Sequence, residues 1–89
     1  MHAITYRREA ARALIRMQRS QPAKADDIRE ALIRVAADPS APNNNLLPLR
    51  GVPDGFRIRV GDWRVSYTLD RGAEVIDVFE IAPRGGAYR

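Results

Sequence analysis

Two runs of alternating residues meet at Gly61-Asp62, and no other feature of the chain restricts its fold so tightly. Phe56, Ile58 and Val60 alternate with Arg57 and Arg59; beyond the turn, Trp63, Val65, Tyr67 and Leu69 alternate with Arg64, Ser66 and Thr68. Successive side chains of a strand point to opposite faces, so this pattern predicts a hairpin with one apolar and one polar face. A two-residue Gly-Asp turn also sets the register. Val60 then pairs with Trp63, Arg59 with Arg64, and Arg57 with Ser66.

The hairpin needs partners to bury its apolar face, and the rest of the chain supplies them. Residues 74–81 form a third strand after the Arg71-Gly72-Ala73 turn. Both of its alternation classes are apolar, Val75 and Phe79 on one and Ile76 and Val78 on the other, as expected of a central or bulged strand. At the other end of the chain, residues 3–6 alternate as a short strand. Ala10, Ala13, Leu14 and Met17 then recur at helical spacing over residues 7–19. Ser20-Gln21-Pro22 interrupts that helix, and Pro22 suits the first turn of a second one carrying Ala25, Ile28, Leu32 and Val35 as far as about residue 37. Asp26, Asp27 and Glu30 lie towards its N-terminal end, where the helix dipole favours negative charge. Residues 38–48 hold three of the six prolines and the run Asn43-Asn44-Asn45, and read as a surface loop. The expected fold is α+β, in the order β-α-α-β-β-β, with two N-terminal helices packed on one face of a small, mostly antiparallel sheet.

Eighty-nine residues suit one domain, spanning residues 1–89, and with no cysteine it must be held by packing alone. The N-terminal residues turn polar too soon for a signal peptide or membrane span, which points to a soluble cytoplasmic protein. His2 is the sole imidazole, so neither a metal site nor a Ser-His-Asp set is expected. Gly85-Gly86 is too short for a phosphate loop and opens no helix. Trp63 shares its parity with Val65 and Tyr67 and belongs to the core rather than to a base-stacking platform.

The polar face of the hairpin is where chemistry enters. The net charge of +4 arises from 15 basic and 11 acidic residues, and Lys24 is the only lysine. Arginine presents a planar fork matched to phosphate. Setting Arg59 directly across from Arg64 is unfavourable by roughly 0.2–1 kcal/mol, a cost that an anion held between the two guanidiniums offsets. The same alternation is also that of an ordinary solvated face, with the arginines paired to Glu80 or Asp77.

The segment Leu49-Arg50-Gly51-Val52-Pro53-Asp54-Gly55-Phe56-Arg57-Ile58-Arg59-Val60-Gly61-Asp62-Trp63-Arg64-Val65-Ser66-Tyr67, with the ending Ile81-Ala82-Pro83-Arg84-Gly85-Gly86-Ala87-Tyr88-Arg89, resembles RelE-type toxins of the RelE/ParE superfamily. The strand-helix-helix start fits as well, so the resemblance spans essentially the whole chain. It implies a toxin of a type II toxin-antitoxin pair that enters the ribosomal A site and cuts messenger RNA. The RNA's own 2′-hydroxyl attacks the adjacent phosphate, and neither metal nor cofactor is needed. By position, Arg57 and Arg59 match the family's basic pair, Arg64 and Arg84 its arginines, and Tyr88 its C-terminal tyrosine; Arg50 and Arg89 are expected to contact RNA.

Two departures bear on mechanism. Lysines are common in the basic pair of the family, whereas Arg57 and Arg59 carry guanidiniums, which do not give up their proton and cannot act as general bases. That leaves Tyr88, a phenol near pKa 10 that neighbouring guanidiniums would lower, as the leading candidate base, or else as a stacking residue. Pro83 stands where many relatives carry histidine. The implied partners are a cognate antitoxin with an acidic or amphipathic segment, the ribosome with its messenger RNA, and operator DNA only through the antitoxin complex; no membrane is implied. Two alternatives are a ParE-like inhibitor of DNA gyrase without nuclease activity and a degenerate, inactive toxin.

Overall fold

Strand β1 (Ala3–Tyr6) leads directly into helix α1 (Arg8–Ser20) in the computed structural model, which describes residues 1–83. The helically spaced Ala10, Ala13, Leu14 and Met17 are all buried. The chain reverses at Gln21, whose backbone N–H donates to the Met17 carbonyl at 2.7 Å. Pro22 then opens helix α2 (Pro22–Ala37), at a position where a missing N–H breaks no hydrogen bond. This helix buries Ala25, Ile28, Ala31, Leu32, Val35 and Ala36.

Four further strands follow: β2 (Leu46–Pro48), β3 (Gly55–Val60), β4 (Trp63–Asp70) and β5 (Val75–Pro83). They form one sheet with β1 in the order β1-β5-β4-β3-β2, antiparallel except for the parallel β1/β5 pair. Two helices against a mostly antiparallel sheet is the α+β arrangement expected from the sequence. Strand β2 corrects the reading of residues 38–48 as loop throughout, because its last three residues pair with β3, Leu46 with Ile58 and Pro48 with Phe56. Its brevity and its proline hide it from pattern reading; both are tolerated because it is the sheet edge, where one side needs no ladder partner.

The ambiguous strand β5 is central and bulged. Ser66 pairs with Glu80 but Tyr67 with Val78, so Phe79 is an extra residue in the ladder. Parity therefore changes at Phe79: Ile76 and Val78 are buried before it, and Ile81 after it. Together with Ile58, Val65, Tyr67 and Leu69 they form the sheet side of the core beneath the helices. Trp63 packs against that core, partly buried. No helix among the described residues is long and apolar enough to cross a membrane.

Two positions give direct tests of this packing. Gly55 opens β3, and a Cβ there would lie 2.5 Å from Val52 Cγ1 and 3.0 Å from the Val52 carbonyl oxygen. Gly55→Ala is expected to destabilise by about 1–3 kcal/mol, an overpacking cost, read as a fall in Tm and in urea midpoint. Tyr67 is only 1% exposed and its ring stacks on Phe56 at 5.8 Å between centroids. Burial pushes its phenol up to about 12; burial also raises Tyr6, partly countered by the Arg29 guanidinium. A phenol kept neutral by the fold stabilises it fully below the unfolded pKa near 10, and that contribution is lost as pH rises through the folded value. Stability measured by urea unfolding between pH 9 and 12 should therefore fall by roughly 2–3 kcal/mol in the wild type and by distinctly less in Tyr67→Phe.

Candidate functional site

Strand register turns the arginine alternation into a two-row grid on the face turned away from the helices. One row runs Arg57, Ser66, Glu80 across β3, β4 and β5; the next runs Arg59, Arg64, Ala82. The pairing of Arg59 with Arg64 and of Arg57 with Ser66 is that set by the Gly61-Asp62 turn. With neighbouring strands about 4.8 Å apart, each row is ~10 Å wide.

The two facing guanidiniums are held by different partners. Arg59, the more exposed, donates from its Nη2 to Asn45 Oδ1 at 3.3 Å, and its backbone N–H donates to the Asn45 carbonyl at 2.9 Å. Arg64 lies deeper, with a side chain 15% exposed and its Nε 3.5 Å from Glu80 Oε1. The same carboxylate oxygen accepts a 3.4 Å hydrogen bond from Ser66 Oγ. Ser66 is 2% exposed and forms the floor of the grid. The like-charge repulsion inherent in the register is thus relieved by Asn45 at the sheet edge and by Glu80 at its centre. Arg57, half-buried beside Ser66, makes no side-chain hydrogen bond or ion pair among the described residues.

Of the two carboxylates read from the sequence as partners for these arginines, the fold gives only Glu80 to the grid. Asp77 is engaged at the β1 side of the sheet, where it accepts 2.9 Å bonds from Arg7 Nε and Thr5 Oγ1. The Arg7 guanidinium holds its carboxyl below the usual carboxylate range. Arg7 is itself 5.8 Å from the centre of the Phe79 ring.

The sequence reading places Arg57, Arg59, Arg64, Arg84 and Tyr88 in one site with Arg50 and Arg89 as RNA contacts. The structure brings Arg57, Arg59 and Arg64 together. Arg50 stands apart, exposed in the turn from β2 to β3 at the Gly55 end of the hairpin, while Arg59 and Arg64 flank its Gly61 end. Arg84, Tyr88 and Arg89 lie outside the described residues. Glu80 is the residue that sequence reasoning takes only for a counter-ion. The bulge at Phe79 hides its place, because strict alternation from Ile76 and Val78 puts Glu80 on the buried parity.

Chemically, the grid offers two kinds of group. Guanidiniums, one mostly buried and therefore poorly screened, stabilise an anion placed over Ser66. Glu80, with a side chain 45% exposed, is reachable from solvent and is a proton acceptor where the arginines are not.

The profile of the ParE toxin of the type II toxin-antitoxin system parDE matches residues 4–88. No curated protein matches the chain. Among solved structures, the YoeB/ParE toxin from Agrobacterium tumefaciens superposes with a TM-score of 0.80 at 14% identity, over 91% of this chain and 96% of that one. The toxin-antitoxin complex RelBE of E. coli gives 0.78 at 18% identity, over 93% and 96%. The RelE-RelB complex of Pyrococcus horikoshii OT3 gives 0.76 at 24% identity, over 94% and 96%. At such identities the superpositions establish a shared fold.

Proposed function

Because the chain belongs to the ParE toxin family of type II toxin-antitoxin systems, within the RelE/ParE superfamily, we propose that it acts in the cytoplasm as a ribosome-dependent endoribonuclease. Its substrate is messenger RNA in the ribosomal A site. The observation that carries this reading is the cross-strand grid of Arg57, Arg59 and Arg64 around Ser66 and Glu80.

Cleavage by the RNA's own 2′-hydroxyl needs no metal. The hydroxyl oxygen bonds to phosphorus, the bond to the 5′-oxygen breaks, and one proton leaves the nucleophile as another reaches the leaving group. Between these events the phosphorane carries extra negative charge, which Arg57 and Arg64 stabilise, Arg64 with its Nε already beside Glu80. Arg59, fixed to Asn45, orients the strand at the sheet edge. Glu80 takes the proton from the 2′-hydroxyl, the duty that lysine-free strands cannot otherwise perform, and Tyr88 serves as the acid for the 5′-oxygen or as a stacking surface. Arg84, next in the chain after β5, supplies a further guanidinium; Arg89 contacts RNA, and Arg50 does so away from the reacting phosphate.

The partner under resting conditions is a cognate antitoxin, as in the toxin-antitoxin complexes that share the fold. An acidic or amphipathic segment neutralises the basic surface, and the pair reaches operator DNA through the antitoxin. The ParE name of the matching family favours a second reading, inhibition of DNA gyrase without RNA cleavage. Purified toxin, incubated with messenger RNA programmed into ribosomes, with naked RNA, and with gyrase in a supercoiling assay, separates the two. Cutting on the ribosome alone, with gyrase unaffected, is expected; gyrase inhibition without cutting would select the second reading.

A further inference from the structure

Helix α1 carries a feature that the site on the sheet does not use. Arg8, Arg12, Arg16 and Arg19 recur every three or four residues, all exposed. At 3.6 residues per turn they fall within an arc of about 80°, on the side of the helix away from its buried Ala10, Ala13, Leu14 and Met17, and span ~16 Å along the axis. Like charges at these spacings oppose helix formation. None of the four guanidiniums makes a hydrogen bond or ion pair among the described residues. Helix α2, by contrast, balances Lys24, Arg29 and Arg34 against Asp26, Asp27 and Glu30 and closes an Arg29–Asp26 pair at 3.3 Å.

We propose that the outward face of α1 is a second phosphate-binding surface, one that takes the backbone of folded RNA while the sheet face addresses the strand to be cut. The inference rests on the ribosomal reading above. Its geometry supports it: the helices cover one side of the sheet and the arginine grid occupies the other, so the molecule presents guanidiniums on opposite sides. A body placed between messenger RNA and structured ribosomal RNA meets phosphate on both. The chemistry of the stripe selects phosphate over an acidic protein segment. Its four residues are all arginine, whose fork matches phosphate, and one exposed large apolar side chain borders it, Ile15 at 56% exposure. A docked protein helix needs a continuous apolar seam to bury.

Binding of purified toxin to ribosomes, and to a short RNA duplex as a ribosome-free probe, is measured between 50 and 200 mM salt for the wild type, for Arg12→Gln/Arg16→Gln, and for Arg71→Gln as a surface control. Glutamine keeps the helix propensity, and equal far-UV circular dichroism and Tm verify the fold. Loss of two phosphate contacts lowers the salt slope by about 1.8, which makes the fall in affinity across this range about 12-fold shallower. That change, on ribosomes and duplex alike, with Arg71→Gln at the wild-type slope, is the expected result. An unchanged slope in the double variant overturns the proposal, and so does a loss confined to antitoxin affinity. Cleavage is scored in parallel: wild type that binds through the stripe yet never cuts programmed messenger RNA refutes the nuclease alone, whereas cutting with an unaltered slope refutes the stripe alone.

Discussion

Arg64→Gln is expected to lower messenger RNA cleavage on programmed ribosomes by about 10²–10³-fold in kcat, the usual effect of removing one preorganised donor from a developing oxyanion. Arg64 is singled out by its depth. Its side chain is 15% exposed, so little water would screen its charge from a phosphorane held there. Its guanidinium is also held in advance, Nε being 3.5 Å from Glu80 and the backbone paired between β3 and β5. Arg59 is held as well, by Asn45, but it is exposed, and Arg59→Gln is expected to act mainly on KM. Arg64→Lys keeps the charge but not the fork and should recover only part of the loss. Equal kcat for wild type and Arg64→Gln, measured under single-turnover conditions, would remove Arg64 from the chemistry. The Tm of Arg64→Gln is measured beside that of the wild type, so that a loss of fold is not read as a loss of chemistry.

Most of this fold is legible in the pattern of its residues because the pattern and the packing obey the same periods. The hairpin reads correctly to the individual pair: a two-residue turn at Gly61-Asp62 admits one register, and the apolar parity of Ile58, Val65 and Tyr67 admits one inward face. The helices follow from their buried stripes. What escapes is whatever breaks a period or is too short to have one. Strand β2 has three residues, and its pairing is decided by the free edge of β3 rather than by anything within residues 46–48. The bulge at Phe79 adds one residue to β5, and alternation past that point assigns every side chain to the wrong face.

The site is legible to the same extent and fails for the same cause. Arg57, Arg59 and Arg64 are brought together by the hairpin register, which the sequence specifies. Their immediate partners come from segments far away in the chain, Asn45 from the residues before β2 and Glu80 from beyond the bulge. Neither partner obeys a local rule. The stripe on α1 escapes for a different reason. Apolar spacing finds the face a helix buries, and the arginines that share a face away from it become visible as a set only when the helix is seen to leave them without counter-ions among the described residues.

Glu80→Gln is expected to lower kcat by about 10²–10⁴-fold, the range for loss of a general base, and its pH dependence distinguishes proton transfer from mere support of Arg64. With the carboxylate as base, the wild-type profile has an acid limb that the residual rate of the glutamine variant lacks. If Glu80 only positions Arg64, the variant is slow but keeps the wild-type profile, and Glu80→Asp, which shortens the reach to Arg64, is no better than glutamine. Tyr88→Phe completes the assignment. A phenol acting as acid must be protonated, so its removal should erase the alkaline limb and leave ribosome affinity intact. Loss of the acid limb in Tyr88→Phe and its survival in Glu80→Gln would exchange the two roles, making the tyrosine the base that an arginine-only pair of strands otherwise lacks.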